Sequence, residues 1–330
     1  MTEIKCMSFT EKVKQYYQER KAKVKYYYHK YKIAYYFILP TVIAMILMHL
    51  FPIAQGLYMS FLKLNNFTLN QYLGAPFIGF GNFYDVMFNP SSPMRIGIYD
   101  AVRNTIIYSF LVTIGQTAVG MIVALMLSNE FKGRGLVRTL FMFSWIVPTY
   151  VTGILWGFMF QQSIGIINII LVDWLHLLAQ KPFWLVGVNS IWAIIIPTIW
   201  RFWPFSMLML LAGIQNVPQS LYDAAKIDGA GKWKTFWKIT WPMLSPVWMI
   251  LVLFGIIYNT YSFNIVIMMF GNGAGFPGKW GDLMMTNIFR NSFMRWDFGA
   301  GAATSVLLLF VMIIVVNFWY KYYKKTEEIF

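Results

Sequence analysis

Apolar residues along this chain fall into six long blocks, roughly 34–61, 102–128, 138–160, 189–213, 244–270 and 299–320, with polar, charged or turn-forming segments between them. Each block lies near the ~20 residues that a helix needs to cross a bilayer core. The pattern predicts an all-α, polytopic membrane protein with about six transmembrane helices. Pro40, Pro52, Pro148, Pro197 and Pro204 sit inside the blocks, where proline kinks or breaks a helix. Buried breaks are tolerated when neighbouring segments satisfy the freed backbone groups, and ordinary packing accounts for each proline taken singly. The segment 62–101, with FIGFGNF and NPSSP, is too short for an independent domain and predicts short helices and turns against the membrane rim. The segment 161–188 mixes apolar residues with Gly165 and Asn168, which permits a re-entrant or interfacial helix.

Composition narrows the class. Hydrophobic residues make up 58% of the chain and charged residues 12%, half the charged share usual in a soluble domain. A formal charge of +14 would suit nucleic acid or acidic lipid, but nine of the 27 Lys and Arg fall in residues 1–32, beside the first block. Charge of one sign next to a span more often orients a protein than binds nucleic acid, so no nucleic-acid partner is expected. Residues 1–32 read as a basic cytoplasmic segment, either an amphipathic helix on the inner leaflet or a solvated tail, and 33–330 as the transmembrane domain. The leader, the 129–138 and 214–243 loops and the tail after 320 carry nine, three, four and three basic residues. The segments 62–101, 161–188 and 271–298 carry two, one and three. Both termini and the 214–243 loop therefore face the cytoplasm, with Lys279, Arg290 and Arg295 the poorest fit to that bias. The lone Cys6 excludes an intrachain disulfide, and with no apolar stretch before it a lipoprotein reading fails. The first block lacks a small-residue cleavage site and reads as an uncleaved span.

Between the fourth and fifth blocks, residues 217–246 read VPQSLYDAAKIDGAGKWKTFWKITWPMLSP. Pro218 suits the first turn of a helix, and Gly229 and Gly231 suit its end. On that helix Leu221, Ala224, Ala225 and Asp228 recur at three-to-four spacing. Small side chains on such a face let another protein's surface come within contact distance of the backbone. Asp223-Ala224-Ala225, then Gly229 after three residues, Ile239 after nine more, and Pro242 resembles the EAA loop. That loop marks the membrane-spanning subunits of binding-protein-dependent ABC importers. The surrounding LYDAAKIDGAG and FWKITWPML are similar to the carbohydrate branch, the maltose and glycerol-phosphate type permeases. Asp223 stands where Glu is usual and Trp241 where Leu is usual, and the resemblance covers roughly residues 34–320.

No catalytic constellation emerges. His29, His49 and His176 are scattered, with no second ligand at helical spacing for zinc. Gly229-Ala-Gly-Lys232 holds the tail of a phosphate loop, but the first Gly is missing and Trp233 replaces the Ser or Thr, so the chain itself is not expected to bind ATP. Gly273-x-Gly-x-x-Gly278 has dinucleotide spacing, yet no soluble strand precedes it and Pro277 sits inside it; a turn-rich external loop fits better. Asn66-Phe-Thr68 matches a glycosylation sequon and reads as coincidence.

Two features point to a solute path. Arg201 falls near the middle of the 189–213 block, where a charge costs at least ~2.5–3.5 kcal/mol unless it faces water or a partner. Snorkelling is the plainer reading, but mid-span placement makes it hard. In the fifth block Gly255, Tyr258, Asn259 and Ser262 share one helical stripe, and a polar stripe in a membrane helix faces a cavity or another helix. Tyr, Asn and Ser offer a sugar hydroxyl and amide hydrogen bonds and an aromatic face. Aligned on the EAA motif, Gly255, Tyr258, Asn259, Ser262, Arg201, Phe202 and Phe205 coincide with sugar-lining positions of maltose-type permeases.

The resemblance implies a type I ABC importer permease fold in a bacterial inner membrane, with no cofactor in this chain. It implies a second homologous permease, an ATPase dimer carrying ATP and Mg, an extracytoplasmic solute-binding protein and an oligosaccharide cargo. Arg201 adds the expectation that this cargo is acidic; glycerol phosphate or a neutral sugar is the alternative, and a membrane glycan-processing enzyme a remote one. Asp223, Ala224, Ala225, Gly229, Ile239 and Pro242 would form the ATPase-coupling surface.

Overall fold

The computed structural model describes residues 9–270 and 276–327; Cys6, Gly273 and Gly275 lie outside them. The described residues are almost entirely helical, with two isolated bridges, Leu62 to Phe77 and Asn65 to Asp297, and no strand. The chain divides into two units, 1–58 and 59–330.

In the first unit α1 (Phe9–Met45) passes through a π turn, Ile46–Leu50, into α2 (Phe51–Met59). From Lys14 to Met59 this forms one helix of 46 residues whose most apolar stretch has a mean hydropathy of 2.2. Tyr31, at φ −116° and ψ 15°, kinks it where the basic leader meets the first expected span. Pro52 has no amide to offer the carbonyl four residues back, and the helix widens to a π turn just before it.

The second unit begins with short elements, as expected for 62–101: a 3-10 turn at Leu69–Gly74 and α3 (Gly81–Met87). Three long helices follow at intervals, α4 (Ile98–Ser128), α9 (Ser190–Gln215) and α16 (Phe298–Glu327), each apolar and long enough to span. α4 packs along α9, and Gly120 sets their separation: a Cβ there would stand 2.8 Å from the Met207 amide nitrogen. Small residues let membrane helices approach this closely where no hydrophobic gain drives them together. Tyr108, Val112, Ile194 and Ile195 form the core at one end, and Met121, Leu127, Leu210, Leu211 and Leu251 at the other.

The third and fifth blocks differ from continuous spans. α5 (Arg134–Phe141) and α6 (Phe143–Ile146) meet α7 (Thr149–Met159) at 88°. The break is local chemistry: Pro148 disfavours the helical region for the residue before it, and Val147 sits at ψ 126°. Pro197 and Pro204, by contrast, lie within the unbroken α9. In the fifth block the loop's return helix, α11 (Lys232–Thr235) through a π turn to α12 (Trp241–Met243), meets α13 (Ser245–Thr260) at 68°. α13 stops at Thr260, and the apolar run beyond it forms α14 (Asn264–Met269), folded against α7. Gly153 and Gly157 make that packing possible, since a Cβ on either would stand 2.7 and 2.9 Å from the carbonyl oxygens of Ile265 and Met269.

The intervening segments are pinned by buried polar groups. After the one-turn α8 (Ile166–Asn168), Asn168 donates to the Gln162 and Pro182 carbonyls and accepts from Trp184 Nε1 at 2.8 Å, which curls 161–188 on itself. Ahead of α15 (Met284–Phe289), Asp282 is buried and accepts from Thr286, Asn287 and Arg290. Arg290 is thus neutralised within the chain, which explains a basic residue where the charge bias disfavours one.

Candidate functional site

The loop between α9 and α13 folds as an elbow. Pro218 caps α10 (Gln219–Ile227), and the helix ends through Gly229 at φ +69°. The Gly229 amide donates to Lys226 O at 3.1 Å and the Ala230 amide to Ala225 O at 2.9 Å, the paired bonds that close a helix through a left-handed residue. Tyr222 and Thr240 hydroxyls meet at 3.2 Å and tie α10 to the returning helix. Asp223 is exposed and accepts from Gln219 at 3.2 Å and Lys226 at 3.3 Å, bonds that hold its carboxyl below the usual range and keep it ionised.

The small-residue face divides in a way its spacing did not reveal. Ala225 is buried against the chain itself, while Leu221, Ala224, Asp228 and Gly229 are exposed. Ile239 and Pro242, on the return helix, are half-buried. Two large apolar residues at the tip escaped the sequence reading: Ile227 is 87% exposed and Trp233 75%. An isoleucine directly before Asp-Gly in a polar turn is the signal that was available. From the elbow a ladder of indoles, Trp233, Trp237, Trp241 and Trp248, runs with centroid separations of 5.8, 5.6 and 5.3 Å. Its last contact stacks across the 68° bend and braces the elbow against α13.

On α13, about 4.5 Å beyond Trp248 at 1.5 Å per residue, begins a cavity of about 360 Å³. Phe202 and Phe205 of α9, Gly255, Tyr258 and Asn259 of α13, Gln116 of α4 and Trp145 of α6 line it, with Leu251 and Phe254. Five of the seven residues expected on the path therefore share one cavity. Gln116, Trp145, Leu251 and Phe254 were missed, the first two because they lie on other blocks and the last two because they are apolar residues on or beside a stripe chosen for its polar groups. Gly255 lets α13 close on α4, for a Cβ there would stand 2.6 Å from Thr113 Oγ1.

Ser262 and Arg201 are placed differently from the expectation. Ser262 lies beyond the end of α13, so the stripe stops at Asn259. Its hydroxyl meets Tyr108 at 2.9 Å, and Tyr108 meets Thr198 at 2.9 Å. Thr198 gives its proton to Ile194 O, so the chain of donors runs from Ser262 through Tyr108 to Thr198. Arg201 is not among the cavity-lining residues. Its Nε donates to Val147 O at 2.9 Å, and its guanidinium lies 4.7 Å from the Phe202 ring centre. That carbonyl precedes Pro148, where the α7 ladder begins with Thr152 donating to Pro148 O. The mid-span charge thus serves the break one block away.

A scan of family models matches residues 116–326 to the binding-protein-dependent transport system inner membrane component. The chain belongs to this family. It is 30% identical over 266 residues to the inner membrane ABC transporter permease YcjO of Escherichia coli, covering 80% of this chain and 85% of that one. It is 30% identical over 305 residues to the trehalose/maltose permease MalF of Thermococcus litoralis, covering 92% and 96%. Its fold matches a chain of a bacterial ABC transporter that imports the acidic polysaccharide alginate, with a TM-score of 0.75 at 21% identity, covering 92% of this permease and 99% of that chain. The elbow and the cavity both lie inside the matched family region.

Proposed function

We propose that this permease is one half of the translocation path for an oligosaccharide, in the inner membrane with both termini cytoplasmic. A second, different permease completes the path, an extracytoplasmic binding protein delivers the cargo, and a pair of ATPase subunits carrying ATP and Mg drives it. The single observation that supports this most is the cavity shared by Phe202, Phe205, Gly255, Tyr258 and Asn259, which pairs aromatic faces with an amide. The trehalose/maltose cargo named for MalF agrees with such a lining. The elbow would seat in the ATPases through Ala224, Ile227, Asp228 and Gly229, with ionised Asp223 meeting a basic residue. Ala225, Ile239 and Pro242 would hold its shape.

The mechanism is mechanical. α13 carries one wall of the cavity and continues the elbow's return helix across a bend that the tryptophan ladder stiffens. Closure of the ATPases on ATP would displace the elbow, and the braced bend would deliver that displacement to Gly255, Tyr258 and Asn259. No covalent bond of the cargo is broken. Purification from membranes with an ATPase, a second permease and ATP-dependent uptake of a sugar tests the reading. An elbow that crosslinks to no ATPase in an actively transporting complex would end it.

A further inference from the structure

The cavity contains a polar group with no assigned task. Gln116 projects from the middle of α4, is 8% exposed, and lines the cavity. Among the described residues its carboxamide makes no hydrogen bond within the chain. Most polar neighbours along the same face are engaged, Thr105 with the Met284 amide, Tyr108 with Thr198 and Ser262, Ser109 with Thr260, and Thr113 with Asn259, while the Thr117 hydroxyl is buried without a partner among the described residues and outside this cavity. The amide is not among the fully buried side-chain atoms that lack a partner, so it opens onto the cavity, where water or a cargo hydroxyl can bond it. Opposite stands Asn259, whose Nδ2 donates to Thr113 Oγ1 at 3.1 Å and so leaves its carbonyl oxygen to accept. Gly255 gives Gln116 room, since a Cβ there would come within 3.1 Å of Gln116 Nε2. The other walls are aromatic, with Trp145 and Phe205 stacked at 5.9 Å and 22°. Among the described residues, no charged side chain lines the cavity.

These walls suit one chemical class. A pyranose offers an apolar face to stacked rings and a hydroxyl edge to amides. A carboxylate or phosphate would lose its water against this half of the path with no charged side chain of the lining to replace it. Resting on the carbohydrate reading above and narrowing it, we propose that Gln116 is a specificity-determining residue of the path and that the sugar unit lodged beside it is uncharged. Adjacent hydroxyls would bond the Gln116 carboxamide and the Asn259 carbonyl oxygen while the ring lies on the aromatic wall.

The test uses the complete transporter with its binding protein in proteoliposomes. Uptake of maltose, trehalose, their monodeoxy analogues and an alginate disaccharide is measured, with each rate corrected for that sugar's affinity for the binding protein. Wild type should disfavour one monodeoxy analogue by about three- to tenfold, the worth of one hydrogen bond, and Gln116→Leu should lose that discrimination. Should Gln116→Leu fail to assemble, Gln116→Asn, which keeps the amide and withdraws it by one methylene, makes the same comparison. Discrimination retained in the variant overturns the role of Gln116, and preferential uptake of the alginate disaccharide overturns the uncharged cargo unit. Uptake of none of these sugars would sink the carbohydrate reading itself, and this inference with it.

Discussion

Gly229 allows the coupling reading to be separated from ordinary backbone strain. Its φ of +69° places it in the left-handed region, and a Cβ built on it would meet nothing within 4 Å. Within the permease, a larger residue at 229 therefore meets strain but no clash. That strain is about 1–2 kcal/mol for most residues and less for Asn, which tolerates the left-handed region. Set against a typical stability of about 5–15 kcal/mol, such a cost leaves insertion and folding intact. Strain alone would rank uptake as Asn best, with Ala and Trp equally reduced. A surface seated in another subunit would rank it by size instead, because a clash of about 3 kcal/mol is about a hundredfold in affinity. We expect Gly229→Asn and Gly229→Ala to transport and Gly229→Trp to reach the membrane at wild-type levels yet fail both in ATP-dependent uptake and in retaining the ATPases on purification. Normal uptake by Gly229→Trp, or equal loss in Ala and Trp, would refute the argument.

Arg201→Gln removes the charge near the break at Pro148 and should lower stability by about 1–3 kcal/mol, read by thermal unfolding in detergent, because the Val147 carbonyl loses its donor. Uptake of neutral and acidic sugars should fall alike; selective loss of acidic sugars would mean that the guanidinium faces the cargo. Gly157→Val forces a branched side chain onto the Met269 carbonyl and should cost about 1–3 kcal/mol, whereas the same substitution at Gly56, with nothing within 4 Å, should not. Asp297 has its carboxyl raised above the ordinary value, first by burial and further by Asp85, against the bond from the Ala300 amide. The folded state then holds its proton more tightly than the unfolded chain. Its contribution is fully present below the unfolded value of about 3.9 and is lost as pH rises through the folded value. The melting temperature of wild type relative to Asp297→Asn should therefore decline over that window, and a constant difference would count against it.

Much of this protein was legible because membrane insertion and helix ends obey local rules. Block lengths forecast the helices, Pro218 and Gly229 marked the ends of α10, and the stripe from Gly255 to Asn259 foretold a cavity wall. Ordinary packing was the reading for each proline taken singly; it holds for Pro197 and Pro204, which leave α9 unbroken, and fails at Pro148, where the chain bends by 88°. Local chemistry offers a break in each case, and only the packing around a helix decides whether it occurs.

What the order of residues determined by itself was the number of long apolar segments, the elbow's outline and the chemical types on one face of α13, because spacing along a helix converts directly into direction. The tertiary structure alone decided that Ala225 turns inward, that Ser262 serves Tyr108, that Arg201 serves a carbonyl on another segment, and that Gln116 joins the cavity from a distant one. Each of those outcomes depends on which groups meet across helices. A charge or an amide in hydrocarbon must find a partner, and no pattern within a single segment states where that partner is.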